Sequence, residues 1–161
     1  MKTCLERIQS LAHQAGVPIE TQHHREVYTM QQVAAELHEK GAHVAKVVIA
    51  EADGELVMLV VAAPAHVDFE RVAAALGAQH VIAIPESQFR DRFPDCATGA
   101  MPPFGKFYDM RTFIDLGLAH TDAIVFQAGS HRETVKMATA DYLRLALPEI
   151  GTFVFAPLHV A

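Results

Sequence analysis

The chain is poor in cysteine and contains no apolar run long enough to cross a membrane. Cys4 and Cys96 are its only cysteines; they form no Cys-x-x-Cys pair, and no secretory segment precedes them. The apolar stretches are interrupted by charge or proline well short of the roughly 20 residues that a membrane span requires. We therefore expect a reduced, cytoplasmic protein without a transmembrane segment.

Positive charge is also scarce. The 161 residues include 13 lysines and arginines against 19 aspartates and glutamates, for a formal net charge of −6. Broad wrapping of a nucleic-acid backbone depends on many phosphate contacts, so this balance argues against DNA as a partner but allows a small basic pocket for one RNA end. The length and the 51% hydrophobic content predict one packed domain, residues 1–161, that folds without a metal or disulfide.

The usual signatures of metal and nucleotide chemistry are missing. Ten histidines raise the question of a metal site. However, His23 and His24 are adjacent on a predicted strand and would face opposite ways, and no HExxH or cysteine–histidine ligand spacing occurs. No GxSxG, Walker or GxGxxG sequence occurs either. We therefore expect no metal and no cofactor.

One lysine interrupts a strand that is otherwise uncharged. Lys46 lies within the run of residues 43–50, which predicts a β-strand, and Asp53-Gly54 joins it to the apolar run of residues 56–61 as a hairpin. Side chains alternate along a strand, so Lys46 shares its face with apolar residues and has no polar stripe to join. Two interpretations stay open: a lysine that protects an exposed sheet edge, or a lysine aimed into a site.

The rest of the chain mixes hairpins with helices and shows no βαβ repeat. Thr3 and Glu6 have capping-box spacing ahead of a first helix that ends at Gly16. Other patterns predict a strand over residues 17–25, helices over residues 29–39 and 69–76, a short buried strand over residues 81–84, a helix beginning at Pro85, a hairpin of residues 123–127 and 133–137, and a final helix capped by Thr139 and ending near residue 147. This order predicts an α+β fold, a single compact domain with a central mixed, mostly antiparallel sheet flanked by helices.

Two glycine-containing segments complete the candidate site. Residues 98–105 lie in a long proline-rich loop that could wall a small pocket, because glycine lets a ligand approach the backbone and proline stiffens the path. In the predicted turn at residues 128–131, Gly129 can adopt positive φ, while Ser130 and His131 present polar groups beside free N–H donors. Each segment alone is explained as well by an ordinary surface connection. Together with Lys46 they favour a site.

In this order, the segments resemble the YbaK/prolyl-tRNA-synthetase-associated domain family of aminoacyl-tRNA deacylases, which remove wrongly attached amino acids from tRNA. The residues that carry the resemblance are Val44-Ala45-Lys46, Gly99-x-x-x-Pro103-Phe104-Gly105, Ile114-Asp115 and Ala128-Gly129-Ser130-His131. The resemblance covers about residues 20–147. Many relatives have a polar residue directly after the lysine, whereas this chain has Val47.

The resemblance implies an enzyme that hydrolyses the ester bond of mischarged aminoacyl-tRNA in trans, with prolyl-tRNA carrying a small or sulfur-containing amino acid as the expected substrate. It implies catalytic roles for Lys46, as an anchor of the oxyanion or of the tRNA end, and for His131. The implied substrate-binding residues are Gly99, Ala100, Met101, Pro102, Pro103, Phe104, Gly129 and Ser130. The expected partners are the tRNA acceptor end and an aminoacyl-tRNA synthetase, with no DNA and no membrane.

The residue types fit this chemistry. Ester hydrolysis builds negative charge on the carbonyl oxygen, which a fixed cation or backbone N–H groups stabilise in a dry site. Because no matched residue is an obvious side-chain nucleophile, we expect a water held by the pocket to attack. One methylene gives a synthetase pocket only about 1–3 kcal/mol of discrimination, so a second, smaller pocket is useful, with Ala100, Met101 and Phe104 as candidate walls. The alternative is a non-catalytic module that binds an aminoacyl or nucleotide-like ligand in the same pocket.

Overall fold

Two β-sheets form the centre of the molecule in the computed structural model, which describes residues 2–156. The strands are β1 (Glu20–His23), β2 (Ala45–Ala52), β3 (Glu55–Ala62), β4 (Val81–Ala83), β5 (Arg111–Asp115), β6 (Ala123–Gln127), β7 (Glu133–Ala138) and β8 (Glu149–Gly151). The helices are α1 (Cys4–Ala15), α2 (Met30–Glu36), α3 (Phe69–Leu76), α4 (Glu86–Phe89), α5 (Leu116–Ala119) and α6 (Thr139–Ala146). None of these helices is both long and apolar enough to cross a membrane.

The strand order is β1-β7-β6 in one sheet and β4-β2-β3-β5-β8 in the other. The pairs β3–β5 and β5–β8 are parallel, and the other neighbours are antiparallel. A parallel bridge between Val44 and Val125 connects the two sheets beside β2 and β6. The predicted α+β class with a mixed, mostly antiparallel sheet is confirmed, although the sheet is divided into two parts.

The β2–β3 hairpin forms as its sequence predicts. Asp53 and Gly54 have φ angles of 48° and 89°, the positive values that a tight turn between twisted strands requires. The register pairs Lys46 with Val61 and Ala50 with Val57. Lys46 therefore lies near the start of β2, at the end of the hairpin remote from the turn.

Side-chain caps begin the first three helices. Thr3 with Glu6 and Thr29 with Gln32 form complete capping boxes, and Asp68 accepts hydrogen bonds from two backbone N–H groups of α3. α1 and α3 end at glycines in the left-handed region, which L residues with a side chain adopt less easily. These local signals are confirmed.

Other elements differ from the predictions at their ends. α2 stops three residues before the predicted residue 39, because His38 has a φ of 55° and cannot continue a right-handed helix. β1 covers only part of the predicted residues 17–25. Thr139 does not cap α6: Ala138 occupies that position, and the Thr139 hydroxyl lies 3.1 Å from the hydroxyl of Thr121.

Three short strands depend on distant partners. The strand predicted as buried at residues 81–84 is instead the edge strand β4, where Ile82 is 56% exposed. β5 and β8 have no counterpart among the predictions. β8 has only three residues and is paired to β5 alone. Their formation is decided by tertiary pairing, which a short stretch of sequence does not reveal.

The two sides of β2 are packed differently. On the rear face, Ala45 and Ile49 belong to the largest buried cluster, which also contains side chains of α1, α6 and the loop before β5. On the front face, Val44 packs in a cluster with α2, and Val48 packs against a cluster that includes α3. Lys46 alternates with these residues and so lies on the front face, between the two front clusters.

Candidate active site at the junction of the two sheets

Lys46 does not lie on an exposed sheet edge. It is half-buried, and β3 covers one side of its backbone through the pairing with Val61. On the other side, β4 pairs only with the far end of β2, while the Val44–Val125 bridge brings β6 alongside. A lysine that blunts an edge strand would instead extend into solvent beside free backbone groups.

The ammonium group of Lys46 has no hydrogen-bond or ion-pair partner among residues 2–156. Burial lowers the pKa of Lys46, because removal from water disfavours the charged form. Lys136 shows the opposite case: its Nζ lies 2.7 Å from Oε1 of Glu39, and this hydrogen bond raises the pKa of Lys136. Perturbed pKa values cluster at binding and catalytic sites, so Lys46 is a candidate site residue.

Two buried polar side chains share the front face with Lys46. Gln127 follows Val125 by two residues, as Lys46 follows Val44, so the parallel bridge puts both on the same side of the sheet. Thr134 lies directly opposite Gln127 on β7. Gln127 is 3% exposed and Thr134 is 1% exposed, and the Thr134 hydroxyl makes no hydrogen bond within the described part of the chain. Buried polar atoms without partners are rare in folded proteins.

The glycine turn and the proline-rich loop are joined through their backbones. The Ala97 N–H donates to the Gly129 carbonyl at 2.8 Å, and the Gly129 N–H donates to the Ala100 carbonyl at 2.9 Å. Gly99 and Gly129 have φ angles of 86° and 94°. These angles favour glycine at both positions where the two segments meet. The turn begins one residue after Gln127 and therefore at the end of the front face that carries Lys46.

His131 fixes the exposed part of the loop. Its Nε2 lies 2.9 Å from the carbonyl oxygen of Thr98, and because a carbonyl only accepts, Nε2 carries the proton. Its Nδ1 lies 3.4 Å from Nε2 of Gln127, and its ring centroid is 4.8 Å from that of Tyr28. The neighbouring Ser130 hydroxyl accepts a hydrogen bond from the Arg132 N–H. His131 thus connects the loop to the polar front face.

The second half of the loop is part of the rear cluster. Thr98 and Gly99 are exposed, but the next five residues are buried: Ala100, Met101, Pro102, Pro103 and Phe104. Phe104 packs against the rings of Phe107, Phe126 and Tyr142. Met101 and Phe104 therefore lie on the side of β2 away from Lys46. Their predicted role as pocket walls stays a prediction, and their packing here is that of core residues.

Sequence reasoning included Thr98 in the candidate loop without giving it a role, and it did not identify Gln127 or Thr134. Gln127 offered a weak signal, as the polar last residue of an otherwise apolar strand. Thr134 resembles any threonine in an alternating strand. The proximity of both to Lys46 depends on pairing between β2, β6 and β7, which are distant in the chain.

A recess of about 1130 Å³ lies at the carboxyl ends of β3 and β5, and Lys46 is not among its lining residues, which include Ala62, Pro64, His66, Arg71, Asp115 and Leu118. One group of possible metal ligands occurs within residues 2–156, formed by Cys4, Asp95 and Cys96. Both carboxylate oxygens of Asp95 already accept hydrogen bonds, from Arg7 and Tyr108. This group lies beneath Gly129 and away from the front face.

Comparison with known proteins identifies the class to which this fold belongs. The model of the aminoacyl-tRNA editing domain family matches residues 24–145, which include Lys46, the loop and the turn. The chain belongs to this family. The resemblance drawn from the sequence is therefore confirmed.

Individual relatives agree with this family assignment. The multifunctional Ser/Thr-tRNA deacylase ProXp-y of Escherichia coli (strain K12) is 32% identical over 98 residues, which are 60% of this chain and 58% of that protein. The chain thus matches less than two thirds of the length of this relative. The same values hold for the protein of Escherichia coli O157:H7.

Solved structures show the same fold at low sequence identity. A candidate trans-editing enzyme for prolyl-tRNA synthetase has a TM-score of 0.79 at 13% identity, over 97% of this chain and 99% of that chain. A crystal structure of a hypothetical protein has a TM-score of 0.83 at 12% identity, over 93% of this chain and 100% of that chain. At these identities the likeness concerns the fold alone.

Proposed function

We propose that this protein is an aminoacyl-tRNA deacylase, which hydrolyses the ester bond between a wrongly attached amino acid and tRNA. The observation that carries the proposal is the half-buried, unpaired Lys46 on the front face of a chain that belongs to the editing-domain family. A positive charge held partly out of water, with no carboxylate to neutralise it, is suited to bind an anion or a developing oxyanion.

In the proposed reaction, water attacks the ester carbonyl and Lys46 stabilises the negative charge that forms on the carbonyl oxygen. Collapse of this intermediate breaks the bond to the ribose oxygen, which takes up a proton. The products are the free amino acid and the uncharged tRNA. Lys46 could equally hold the terminal phosphate of the tRNA, and both roles need the ammonium charge. The attacking water would be positioned by the site, since no base that could activate the Ser130 hydroxyl as a nucleophile is hydrogen-bonded to it within the described residues.

His131 is proposed to position the loop. Its Nε2–H holds the Thr98 carbonyl, so the backbone of Gly99 stays fixed beside the front face. Gly99 and Ser130 would then offer backbone and hydroxyl groups to the terminal adenosine or the aminoacyl group. Gly129, whose N–H and carbonyl bond the loop, would hold the turn beside the bound substrate. Positioning of this kind lowers the entropic part of the barrier. The buried residues Ala100, Met101, Pro102, Pro103 and Phe104 would support the exposed half of the loop and close the pocket from behind.

The substrate is proposed to be mischarged tRNA recognised by its acceptor end in the cytoplasm, with prolyl-tRNA carrying a small or sulfur-containing amino acid as the first candidate. The name of the Escherichia coli relative refers to Ser/Thr-tRNA, so tRNAs charged with serine and threonine are the second set to test. The net charge of −6 limits nonspecific RNA affinity, and an aminoacyl-tRNA synthetase is the proposed source of additional tRNA contacts.

A deacylation panel tests this proposal. Prolyl-tRNA charged with alanine or cysteine, and tRNAs charged with serine or threonine, are each incubated with the native protein, Lys46→Ala and Lys40→Ala. Lys40 is the matched control, because it is exposed and carries the same charge six positions earlier. We expect faster release than the spontaneous rate with the native protein and Lys40→Ala, and its loss with Lys46→Ala.

Two results would contradict the proposal. If no charged tRNA is hydrolysed faster than it decays alone, the protein is not a deacylase for this panel. Lys46-dependent binding of a non-hydrolysable aminoacyl-adenosine under those conditions would identify the non-catalytic binding module instead. If hydrolysis occurs but Lys46→Ala leaves it unchanged, the role assigned to Lys46 is wrong.

A further inference from the structure

The only two cysteines of the chain meet in the folded protein. Cys4 begins α1 and Cys96 lies in the long loop, 92 positions later, yet the ligand atoms of Cys4, Asp95 and Cys96 all lie within 4.8 Å of one another. Cys4 is 1% exposed and Cys96 is partly exposed, and both are free thiols. A disulfide would bring two sulfur atoms that lie within 4.8 Å of each other to about 2.05 Å.

Both cysteines lie next to the turn and the loop of the candidate active site. Cys4 lies directly beneath Gly129: a Cβ at Gly129 would be 2.6 Å from Cβ and 3.1 Å from Sγ of Cys4. Cys96 immediately precedes Ala97, whose N–H donates to the Gly129 carbonyl. Any change in the Cys4–Cys96 distance therefore acts on the turn and on the loop that His131 holds.

The surroundings of the pair favour thiol chemistry over metal binding. Oδ1 of Asp95 accepts a hydrogen bond from the Tyr108 hydroxyl at 2.9 Å, and Oδ2 accepts from Arg7 at 2.9 Å. Cys96 Sγ lies 3.2 Å from the Tyr108 hydroxyl. The Arg7 cation and the occupied carboxylate oxygens both disfavour a metal ion. Interaction with Cys96, followed by burial, raises the pKa of Cys4, so its thiol keeps its proton until an oxidant reacts.

We propose that Cys4 and Cys96 form a reversible disulfide in response to a hydroperoxide, and that this disulfide restrains the loop and turn of the candidate active site. The partly exposed Cys96 reacts first. Its sulfur attacks a peroxide oxygen, the O–O bond breaks, and the thiol proton leaves with the departing oxygen as water or an alcohol. This step gives a sulfenic acid on Cys96.

Cys4 completes the reaction. Its sulfur attacks the sulfur of Cys96, the S–O bond breaks, and hydroxide takes the Cys4 proton to leave as water. The two thiols have then lost two electrons and two protons, and the peroxide has been reduced. A dithiol reverses the step by thiol–disulfide exchange.

The coupling to activity rests on the proposed deacylase function. A disulfide requires an S–S distance of about 2.05 Å, so one cysteine must approach the other. Because Cys4 has no free space toward Gly129, we expect Cys96 and the backbone of Ala97–Thr98 to move instead. Displacement of the Thr98 carbonyl from His131 by a fraction of an ångström would disturb the site, and we expect an approximately tenfold loss of deacylation.

The experiment uses the full chain treated with hydrogen peroxide. We expect the intact mass to fall by about 2 Da, one Cys4–Cys96 cross-linked peptide after digestion, and full reversal by dithiothreitol. Cys96→Ser and Cys4→Ser should each prevent the mass loss while keeping the basal activity of the reduced protein. Peroxide should slow deacylation by the native protein and leave both variants active.

The outcomes separate this inference from the proposed function. Mass gains from added oxygen without a cross-link would overturn the disulfide, whether or not the protein is a deacylase. A cross-link that leaves deacylation unchanged would overturn the coupling. If the reduced protein shows no deacylation, the proposed function fails, and the intact mass still decides whether the disulfide forms.

Discussion

The two faces of the sheet around β2 and β6 use the same backbone for opposite purposes. On the rear face, Phe104 and Phe126 pack against Tyr142, whose hydroxyl donates to the Pro103 carbonyl at 2.6 Å. On the front face, Lys46 and the Thr134 hydroxyl have no partner among residues 2–156. A filled and hydrogen-bonded core stabilises the fold, whereas unused charge and hydrogen-bonding capacity mark the place where a ligand would bind.

The proline-rich loop belongs to both faces. Thr98 and Gly99 are exposed beside the turn, and the following residues enter the rear cluster. The Gly129–Ala100 hydrogen bond marks the point at which the loop changes sides. The stiff, buried half explains how an exposed half can be held in one position. The comparison therefore predicts that rear-face substitutions cost stability and front-face substitutions cost activity.

Phe104→Ala should have the largest effect on stability. Truncation of a fully buried phenylalanine leaves a cavity and typically costs about 3–5 kcal/mol in the free energy of unfolding. Urea unfolding followed by circular dichroism measures the loss. Ile82→Ala, on an exposed edge strand, is the control and should cost less than about 1 kcal/mol. Equal losses in the two variants would contradict the assignment of Phe104 to the core.

Gly129→Ala should have the next largest effect. A Cβ would lie 2.6 Å from Cβ of Cys4, and the φ of 94° is unfavourable for alanine, so we expect a loss of about 2–4 kcal/mol. Gly77→Ala is the matched control: its φ is 68°, but a Cβ there meets no atom within 4 Å. It should cost about 1 kcal/mol. Similar unfolding curves for both variants would show that the Cys4 contact is unimportant.

Two threonines allow a comparison between a buried hydroxyl with a hydrogen-bond partner and one without. Thr134 and Thr139 are each 1% exposed, but only the Thr139 hydroxyl has a partner, Thr121. Thr139→Val should cost about 0.5–1.5 kcal/mol through the lost hydrogen bond. Thr134→Val removes an unpaired polar group and should leave stability unchanged or slightly higher, while it lowers deacylation. A larger destabilisation by Thr134→Val than by Thr139→Val would contradict the front-face assignment.

The pH dependence of activity should show the smallest effect. Burial lowers the pKa of Lys46 from its ordinary value of 10.5, so this lysine loses its charge at a lower pH than an exposed lysine. The ratio of enzymatic to spontaneous deacylation should therefore fall as pH rises through that pKa. In Lys46→Arg the charge persists, and any remaining activity should not show this fall. If the ratio falls identically at alkaline pH in both proteins, the fall does not arise from loss of the Lys46 charge.

The parts of this architecture that could be predicted are those decided by neighbours in the chain. The Asp53-Gly54 hairpin, the capping boxes and the glycine turn at Gly129 all depend on φ preferences or side-chain caps within a few residues. The family resemblance also pointed to Lys46 and the loop, and their functional roles stay predictions. β5, β8 and the contact between Lys46's strand and β6 depend on pairing across the chain, so no local pattern predicts them.

The division of the loop between two faces was equally hidden from the sequence. The stretch from Ala100 to Phe104 reads as a pocket wall because it is apolar and lies next to glycine. Its burial follows from the packing of Phe104 against α6 and β6, and from the backbone bonds of Gly129. The same tertiary pairing brings Gln127 and Thr134 to Lys46.

We propose above all that the half-buried, unpaired Lys46 contributes to deacylation and does not stabilise the fold. The most direct measurement combines the single-turnover rate of deacylation on the best tRNA of the panel with urea unfolding, for the native protein and Lys46→Ala. We predict a rate loss of about 10²–10³-fold, as for removal of one group that stabilises an oxyanion, with unchanged or increased stability. An unchanged rate, or a rate loss that merely follows a loss of folded protein, would contradict the account.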